Sequence, residues 1–230
     1  MHSLRFITIL AFSAVVSGTN DPVDCEVTTD FQDPSLRAGV LSASVPIDNK
    51  LPSPYRGLQF YSTFRVFQST ALEQNPLNPN KFIYSNGGDS LKLHLVNAVD
   101  GVAFSQLKLE QYSTFCVART DSTAVTYLID CTVEVIAVRD PNQPVIDTFE
   151  YKKAQRIQLS ALSDDFFETH KVTKLQSVPA VEFQVTFHPD SIAQLLGGNS
   201  ITGYGVSFDN FKYGLQKAPG SRAPCPSTRP

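Results

Sequence analysis

Several long segments of this sequence are apolar at every second residue, and this alternation constrains the fold more than any other feature. The pattern is cleanest in VEFQVTFH (residues 181–188), where valine and phenylalanine alternate with glutamate, glutamine, threonine and histidine. Because successive side chains of a β-strand point to opposite faces, such alternation predicts strands buried on one side. The segments 58–67, 90–98, 125–138 and 201–213 repeat it. The sequence therefore predicts about nine or ten strands.

Helix signals are few. The segment PDSIAQLLGG (189–198) predicts one short helix, with Asp190 or Ser191 capping its start and Gly197 ending it. Turn-forming residues separate the alternating segments. Many strands, little helix and regular turns predict an all-β fold. We expect an antiparallel two-sheet β-sandwich in jelly-roll order, with one short helix.

The N-terminus has the three-part pattern of a secretory signal peptide. Arg5 precedes an 11-residue apolar stretch (6–16), and small residues follow it near a plausible cleavage point. The stretch is too short to span a bilayer, and no other run approaches the ~18 apolar residues of a membrane span. We therefore predict a signal peptide over 1–18, one β-sandwich domain over 19–214 and a proline-rich tail over 215–230.

The net charge of the chain disfavours some classes of binding partner. Loss of the predicted signal peptide removes Arg5 and no acidic residue, which takes the formal net charge from −3 to −4. An acidic exported chain lacks the positive surface that binds nucleic acid or an anionic membrane. We expect a secreted, extracellular monomer with no nucleic-acid partner and no membrane span.

Four cysteines, an even number in a chain predicted for an oxidising compartment, predict disulfides. Cys116 and Cys131 lie symmetrically about TDST (120–123), so a hairpin turning there would place them opposite each other on neighbouring strands. The remaining pair, Cys25 with Cys225, would join the two ends of the domain. Zinc is disfavoured because no Cys-x2-Cys or Cys/His cluster occurs.

One carboxylate interrupts an apolar strand near the C-terminus. In GVSFDNFKYG (205–214), alternation places Asp209 on the face of Phe211 and Tyr213. The strand is then covered on both faces or shifts face at a bulge. A buried carboxylate needs a partner. Either backbone amides bind Asp209 and fix the register of the strand, or a cation such as Ca²⁺ does.

Three segments carry a family resemblance. LPSPYRGLQFYSTFRV (51–66) resembles a P-x-Y-x-G-L-x-F-x-x-F-x-V pattern of exported, largely uncharacterised fungal proteins. FQD (31–33) resembles their N-terminal FDD-like segment, and FDNFKY (208–213) resembles their closing Asp-Asn-aromatic strand. The resemblance implies a galactose-binding-like jelly-roll β-sandwich with a structural calcium linking the first and last strands. Its candidate ligands are Asp33 and Asp209, although Gln32 stands where the pattern prefers an acid. The resemblance implies no reaction and no other cofactor.

Motifs for catalysis are missing. The sequence has no G-x-S-x-G and no H-E-x-x-H, and the histidines that follow the predicted signal peptide are isolated. His94 and His188 fall on polar strand faces, and His170 falls in a predicted turn. Carboxylates of predicted strands could pair for glycoside hydrolysis, but we favour solvated strand positions, which explain the same pattern without a reaction. These carboxylates are Glu110, Asp130, Glu134 and Glu182, with Asp130 and Glu134 on one face.

Ligand binding is the better-supported class of function. Sugar-binding sandwiches present aromatic rings to sugar faces, and this chain has no tryptophan. Tyr55, Tyr61 and Tyr84 lie near turns or on polar faces and are the candidate ligand contacts. We favour a secreted, non-catalytic protein that binds glycans or a protein at a cell wall or host surface. The alternatives are a jelly-roll polysaccharide lyase or glycoside hydrolase, and a structural or host-interacting protein without a small ligand.

Overall fold

Two antiparallel sheets packed face to face form the sandwich seen in the computed structural model. The structure describes residues 23–38, 49–61, 64–68, 81–87, 90–98, 101–121, 125–138, 145–158 and 164–227. The predicted signal peptide lies outside these residues. The strands are β1 (Cys25–Thr29), β2 (Leu58–Tyr61), β3 (Arg65–Gln68), β4 (Lys81–Asn86), β5 (Leu91–Leu95), β6 (Asn97–Ala98), β7 (Gly101–Val102), β8 (Phe104–Thr120), β9 (Val125–Leu128), β10 (Cys131–Ala137), β11 (Val145–Tyr151), β12 (Gln155–Gln158), β13 (Glu168–Lys171), β14 (Ala180–Phe187) and β15 (Ile201–Lys217).

The larger sheet is organised around two 17-residue strands, β8 and β15. Its order is β12-β9-β8-β15-β4-β3, with β1 added beside β15 and β13 beside β8. One edge of β15 pairs with β8 over almost its whole length. Its other edge pairs first with β4 and then with β1. The first and last strands therefore lie side by side, as jelly-roll order predicts.

The smaller sheet has the order β11-β10-β14-β5-β2, and all its pairings are antiparallel. Its central strands, β10 and β14, pair along seven residues, from Cys131 opposite Phe187 to Ala137 opposite Val181. β6 and β7 form a separate two-stranded ribbon. These sheets confirm the predicted all-β, antiparallel two-sheet sandwich.

Aromatic rings from both sheets meet in the core. Tyr112 of β8, Phe183 of β14, and Phe208 and Phe211 of β15 are all fully buried. The ring centroids lie 5.1 Å apart for Tyr112 and Phe183 and 5.0 Å apart for Phe183 and Phe208. Burying one such ring contributes about 1.5–3 kcal/mol. The alternating residues of the strands supply this core, which is why they specify the sandwich.

Both predicted disulfides form, but one differs in geometry from the hairpin expectation. Cys25 bonds Cys225, and Cys116 bonds Cys131. The prediction that Cys116 and Cys131 face each other on neighbouring strands is wrong. Cys116 lies on β8 of the larger sheet and Cys131 on β10 of the smaller one, so the bond joins the two layers.

In place of the predicted short helix, the structure has a 3-10 helix. Pro189–Ile192 forms a 3-10 helix and turns follow it, at the place where the longer segment 189–198 was predicted. A second 3-10 helix spans Asp164–Phe166. Across the described ranges, no helix has the length and apolar composition needed to cross a membrane.

Candidate functional site

The outward face of the smaller sheet carries a set of polar side chains. In β10, Val133 and Val135 are fully buried, whereas the intervening Glu134 is half-buried. Because paired residues of neighbouring strands point to the same side of a sheet, the outward residues of all five strands lie on one face. We call this set the polar face. Its members are Gln59 on β2, Lys92 and His94 on β5, Thr132 and Glu134 on β10, Thr148 and Glu150 on β11, and Glu182, Gln184 and Thr186 on β14.

A chain of contacts links three side chains near the middle of the polar face. Lys92 lies opposite Glu182, and its Nζ is 2.8 Å from Glu182 Oε2. Gln184 Nε2 donates a 3.1 Å hydrogen bond to Glu182 Oε1. The Lys92 hydrogen bond is the main cause that lowers the pKa of Glu182. Glu182 is therefore a fixed carboxylate with an oriented amide on one side and an ammonium on the other.

His94 lies beside this chain. On β5 it is two residues from Lys92, and the register places it opposite Gln59 of β2 and Ala180 of β14. Partial burial, followed by the charge of Lys92, lowers the pKa of His94. The imidazole is therefore neutral at pH 7, and a neutral imidazole can both donate and accept a hydrogen bond.

A second group of polar side chains lies at the start of β10. His188 Nε2 is 2.8 Å from Thr132 Oγ1, a hydrogen bond whose donor depends on the tautomer. Thr132 is opposite Glu150 of β11, which pairs with Lys152. The contact with Lys152 lowers the pKa of Glu150. Hydroxyl, imidazole and carboxylate groups thus continue the polar face toward this end of the sheet.

The polar face offers groups that can form hydrogen bonds with a ligand. Amide, carboxylate, imidazole and hydroxyl groups are suited to hydrogen bonds with the hydroxyls of a ligand. A general acid at neutral pH needs a carboxyl group with a raised pKa. Glu182 and Glu150 both shift in the opposite direction. They are therefore suited to accept hydrogen bonds.

The outward face of the larger sheet is different, because aromatic rings cover much of it. Phe82 of β4, Phe115 of β8 and Phe167 form a cluster with centroid distances of 4.7 to 5.7 Å. Ser207 and Asp209 of β15 are buried on this side of the sheet. The alternation of β15 breaks next to them, because a register shift separates Asp209 from Lys212.

The candidate tyrosines do not present open rings where the structure describes them. Tyr55 is 7% exposed, and its ring stacks on Phe31 with the centroids 5.6 Å apart. Tyr84 is 2% exposed and lies beneath the Arg119 guanidinium, 5.3 Å from the ring centroid. Both rings therefore serve packing. The Tyr61 backbone ends β2 opposite Lys92, but its side chain lies outside the described residues.

The candidate calcium ligands are engaged in other contacts. The Asp33 carboxylate accepts hydrogen bonds from the Ser35 amide (2.9 Å) and hydroxyl (2.7 Å), which lower its pKa. Asp209 is buried opposite Ser113 of β8, and the Asn210 amide donates to it at 3.4 Å. Among the described residues, no three histidine, cysteine, aspartate or glutamate side chains form a group that could hold a metal ion. Calcium binding stays a prediction.

The other candidate acids are dispersed. Glu110 of the larger sheet pairs with Lys212 at 3.2 Å. Asp130 lies between β9 and β10, outside any strand, and its carboxylate accepts a 2.9 Å hydrogen bond from the Ala154 amide. It therefore does not join Glu134 on a strand face. Of the four candidate acids, Glu134 and Glu182 are the two that lie on the polar face.

His170 differs most from its predicted setting. It lies in strand β13, not in a turn, and its Nε2 bonds Asp147 Oδ2 of β11. Its ring stacks on Phe149 with centroids 4.8 Å apart.

The sequence reasoning missed Asp147, and it also missed Gln59 and Lys92 of the polar face. Alternation assigns each an outward or inward side but does not reveal which strands are neighbours.

Comparisons with known proteins give no family. No protein-family model matches the sequence, and no curated protein matches it. TmCBM61 in complex with β-1,4-galactotriose is similar over 71% of this chain and 90% of its own, with 11% identity and a TM-score of 0.28. The non-crystalline-cellulose-specific module CBM28 is similar over 75% and 99%, with 10% identity and a TM-score of 0.30. Arabinose-bound MgGH51 α-L-arabinofuranosidase is similar over 86% and 27%, with 12% identity and a TM-score of 0.32. TM-scores this low carry no argument about the function of this chain.

Proposed function

We propose that this protein is an exported, non-catalytic β-sandwich that binds a glycan across the polar face. The observation that carries the proposal is the contact chain of Lys92, Glu182 and Gln184 on the outward face of the smaller sheet, with His94 at a neighbouring position of the same face. Sugar hydroxyls both donate and accept hydrogen bonds, and this set offers donors and acceptors side by side. The half-buried Ile136, opposite Glu182, adds apolar surface on which the C–H face of a sugar ring can pack.

The charges of the polar face support a neutral glycan. Glu182 is balanced by Lys92 and Glu150 by Lys152, whereas Glu134 adds a carboxylate at the centre of the sheet. Repulsion between like charges therefore disfavours a polyuronic acid. The formal net charge of the whole chain, −3, acts in the same direction.

Two structural features support export. Both disulfides are formed and, in the part of the chain that is described, no cysteine is free. Disulfides persist in oxidising compartments and are rare in the cytosol. The predicted signal peptide is consistent with such a location.

A binding assay with matched variants tests the proposal. Purified protein would be titrated with soluble neutral and acidic polysaccharides by calorimetry, and the release of reducing ends would be measured in parallel. We expect binding to neutral chains and no release. Gln184→Ala, which removes one oriented amide, should weaken binding about three- to tenfold. Gln176→Ala, at an exposed loop position outside the strands of the smaller sheet, should not change it.

Three results would contradict the proposal. Equal affinity of Q184A and Q176A would exclude the polar face as the site. Release of reducing ends would favour the alternative of a carbohydrate-active enzyme. Absence of binding to every polysaccharide would favour a protein partner or a structural role.

A further inference from the structure

Lys81 binds the loop in which the family resemblance places a candidate calcium ligand, Asp33. It is the first residue of β4, and its Nζ donates to the carbonyl oxygens of Asp33 (2.8 Å) and Leu36 (3.0 Å). Both acceptors belong to the segment that follows β1. The Leu36 amide donates to the same Asp33 oxygen at 3.1 Å, so that oxygen receives two hydrogen bonds. The Lys81 ammonium therefore connects two backbone carbonyl groups of this segment.

Gln32 fixes the backbone of Lys81 in place. Its Nε2 donates to the Lys81 oxygen at 3.2 Å, and its Oε1 accepts from the Lys81 amide at 3.3 Å. The Gln32 side chain also donates to the Asp30 oxygen at 2.9 Å. An amide side chain can make this two-way contact, whereas a carboxylate could only accept. Gln32, which stands where the family pattern prefers an acid, is therefore suited to hold the lysine backbone.

The donor set does not suit a calcium ion. Calcium takes about six to eight oxygen ligands at about 2.3–2.6 Å. Two carbonyl oxygens of the segment are already bonded to an ammonium, and the Asp33 carboxylate is directed at Ser35. Lys81 also contributes its positive charge to lowering the pKa of Asp33. An ammonium placed here would repel a second cation.

We infer that the Lys81 ammonium is the cation of this segment and does the structural work that a metal ion would do. The segment follows β1, and Lys81 begins β4; β15 pairs with β1 as far as Phe211 and with β4 from Phe208. A register shift of β15 against β8, between Asp209 and Lys212, lies where these two pairings meet. The cation therefore secures the chain where one neighbouring strand of β15 ends and the next begins.

Thermal melts and hydrogen exchange of the full protein test the inference. The melting temperature of the unmodified protein should not change with EDTA or with added CaCl2. Lys81→Met keeps the aliphatic stem and removes the charge, and it should lower the melting temperature by roughly 5 °C. Amide exchange should become faster in the peptide covering residues 30–38. Lys174→Met, at an exposed loop lysine, is the control and should change neither measurement.

Two outcomes would overturn the inference. One is a fall in the melting temperature of the unmodified protein with EDTA that CaCl2 reverses, which would make a metal ion the structural cation. This measurement needs no variant and stands even if K81M fails to fold. The other is a K81M protein whose melting temperature and exchange of residues 30–38 match those of K174M.

Discussion

At the scale of single residues, Gly205 shows how tightly the outer aromatic layer is packed. It lies in β15, and a Cβ built at this position would overlap the hydroxyl and ring of Tyr84. The Tyr84 ring is 2% exposed and packs against Phe67 and the Arg119 guanidinium. A larger side chain at position 205 would therefore have to displace a packed ring.

Gly205→Ala should therefore destabilise the protein, by about 1–3 kcal/mol as is usual for overpacking. Gly203→Ala in the same strand is a matched control, because nothing lies within 4 Å of a Cβ built there. The free energy of unfolding from urea titration measures both. If Tyr84 is the obstacle, Tyr84→Leu should restore part of the loss in the G205A background. Equal stability of G205A and G203A would contradict the packing argument.

The residue scale also shows where alternation misleads. Alternation places Asp209 on the face of Phe211, yet Phe208 and Phe211 both pack in the core. The reason is Asn210, whose φ of 49° and the adjacent register shift form a bulge that turns the strand. The sequence reasoning included a bulge as one of two possibilities. It could not choose, because side-chain patterning does not report backbone dihedral angles.

At the scale of strands, the segment 125–138 shows the limit of local pattern. Its alternation predicts one strand, but the structure divides it into β9 of the larger sheet and β10 of the smaller sheet. Ile129 still bonds the Cys116 oxygen in the first sheet, and Asp130 makes the transition by binding the Ala154 amide. The apolar alternation continues through the break because both strands face the same core. Pattern alone therefore identified the strand residues but not the change of sheet.

The polar face shows the same limit of local sequence pattern. The alternation of 181–188 correctly separated its outward residues from the buried Val181 and Phe183. Lys92 is opposite Glu182 only because β5 pairs with β14, a contact across about ninety residues of chain. The outward residues of each strand were therefore predictable, whereas their assembly into one surface was not.

The two disulfides should differ in their resistance to reduction. Cys116 and Cys131 are buried at the layer interface, whereas Cys225 is exposed near the C-terminus. Thiol–disulfide exchange needs access to a sulfur atom, so the Cys25–Cys225 bond should open first at a low concentration of reductant. The Cys116–Cys131 bond should persist until the sandwich unfolds. Alkylation followed by peptide mass spectrometry measures both, and simultaneous reduction in the folded protein would contradict this order.

At the scale of the whole molecule, a set of contacts joins the two sheets along one side. Asp147 of β11 bonds His170 of β13, and this carboxylate is only 3% exposed. Beside this pair, the Tyr151 hydroxyl donates to the Phe166 oxygen at 2.9 Å. Lys153 and Glu168 form a third contact at 3.5 Å, with both side chains about one-third exposed. The same edge thus carries a buried polar pair and an exposed ion pair, which can be compared directly.

Breaking the buried Asp147–His170 pair should lower the free energy of unfolding far more than breaking the exposed Lys153–Glu168 pair. His170→Phe keeps an aromatic ring against Phe149 but leaves the Asp147 carboxylate buried without its imidazole, at a cost of about 3 kcal/mol. Lys153→Met removes the cation of the exposed pair and should cost less than about 1 kcal/mol. Adding Asp147→Leu to H170F should recover much of the loss, because it removes the uncompensated charge. Unfolding free energies of the three proteins decide the matter. A double variant no more stable than H170F would show that the lost packing of His170, and not the buried carboxylate, sets the cost of opening this side of the sandwich.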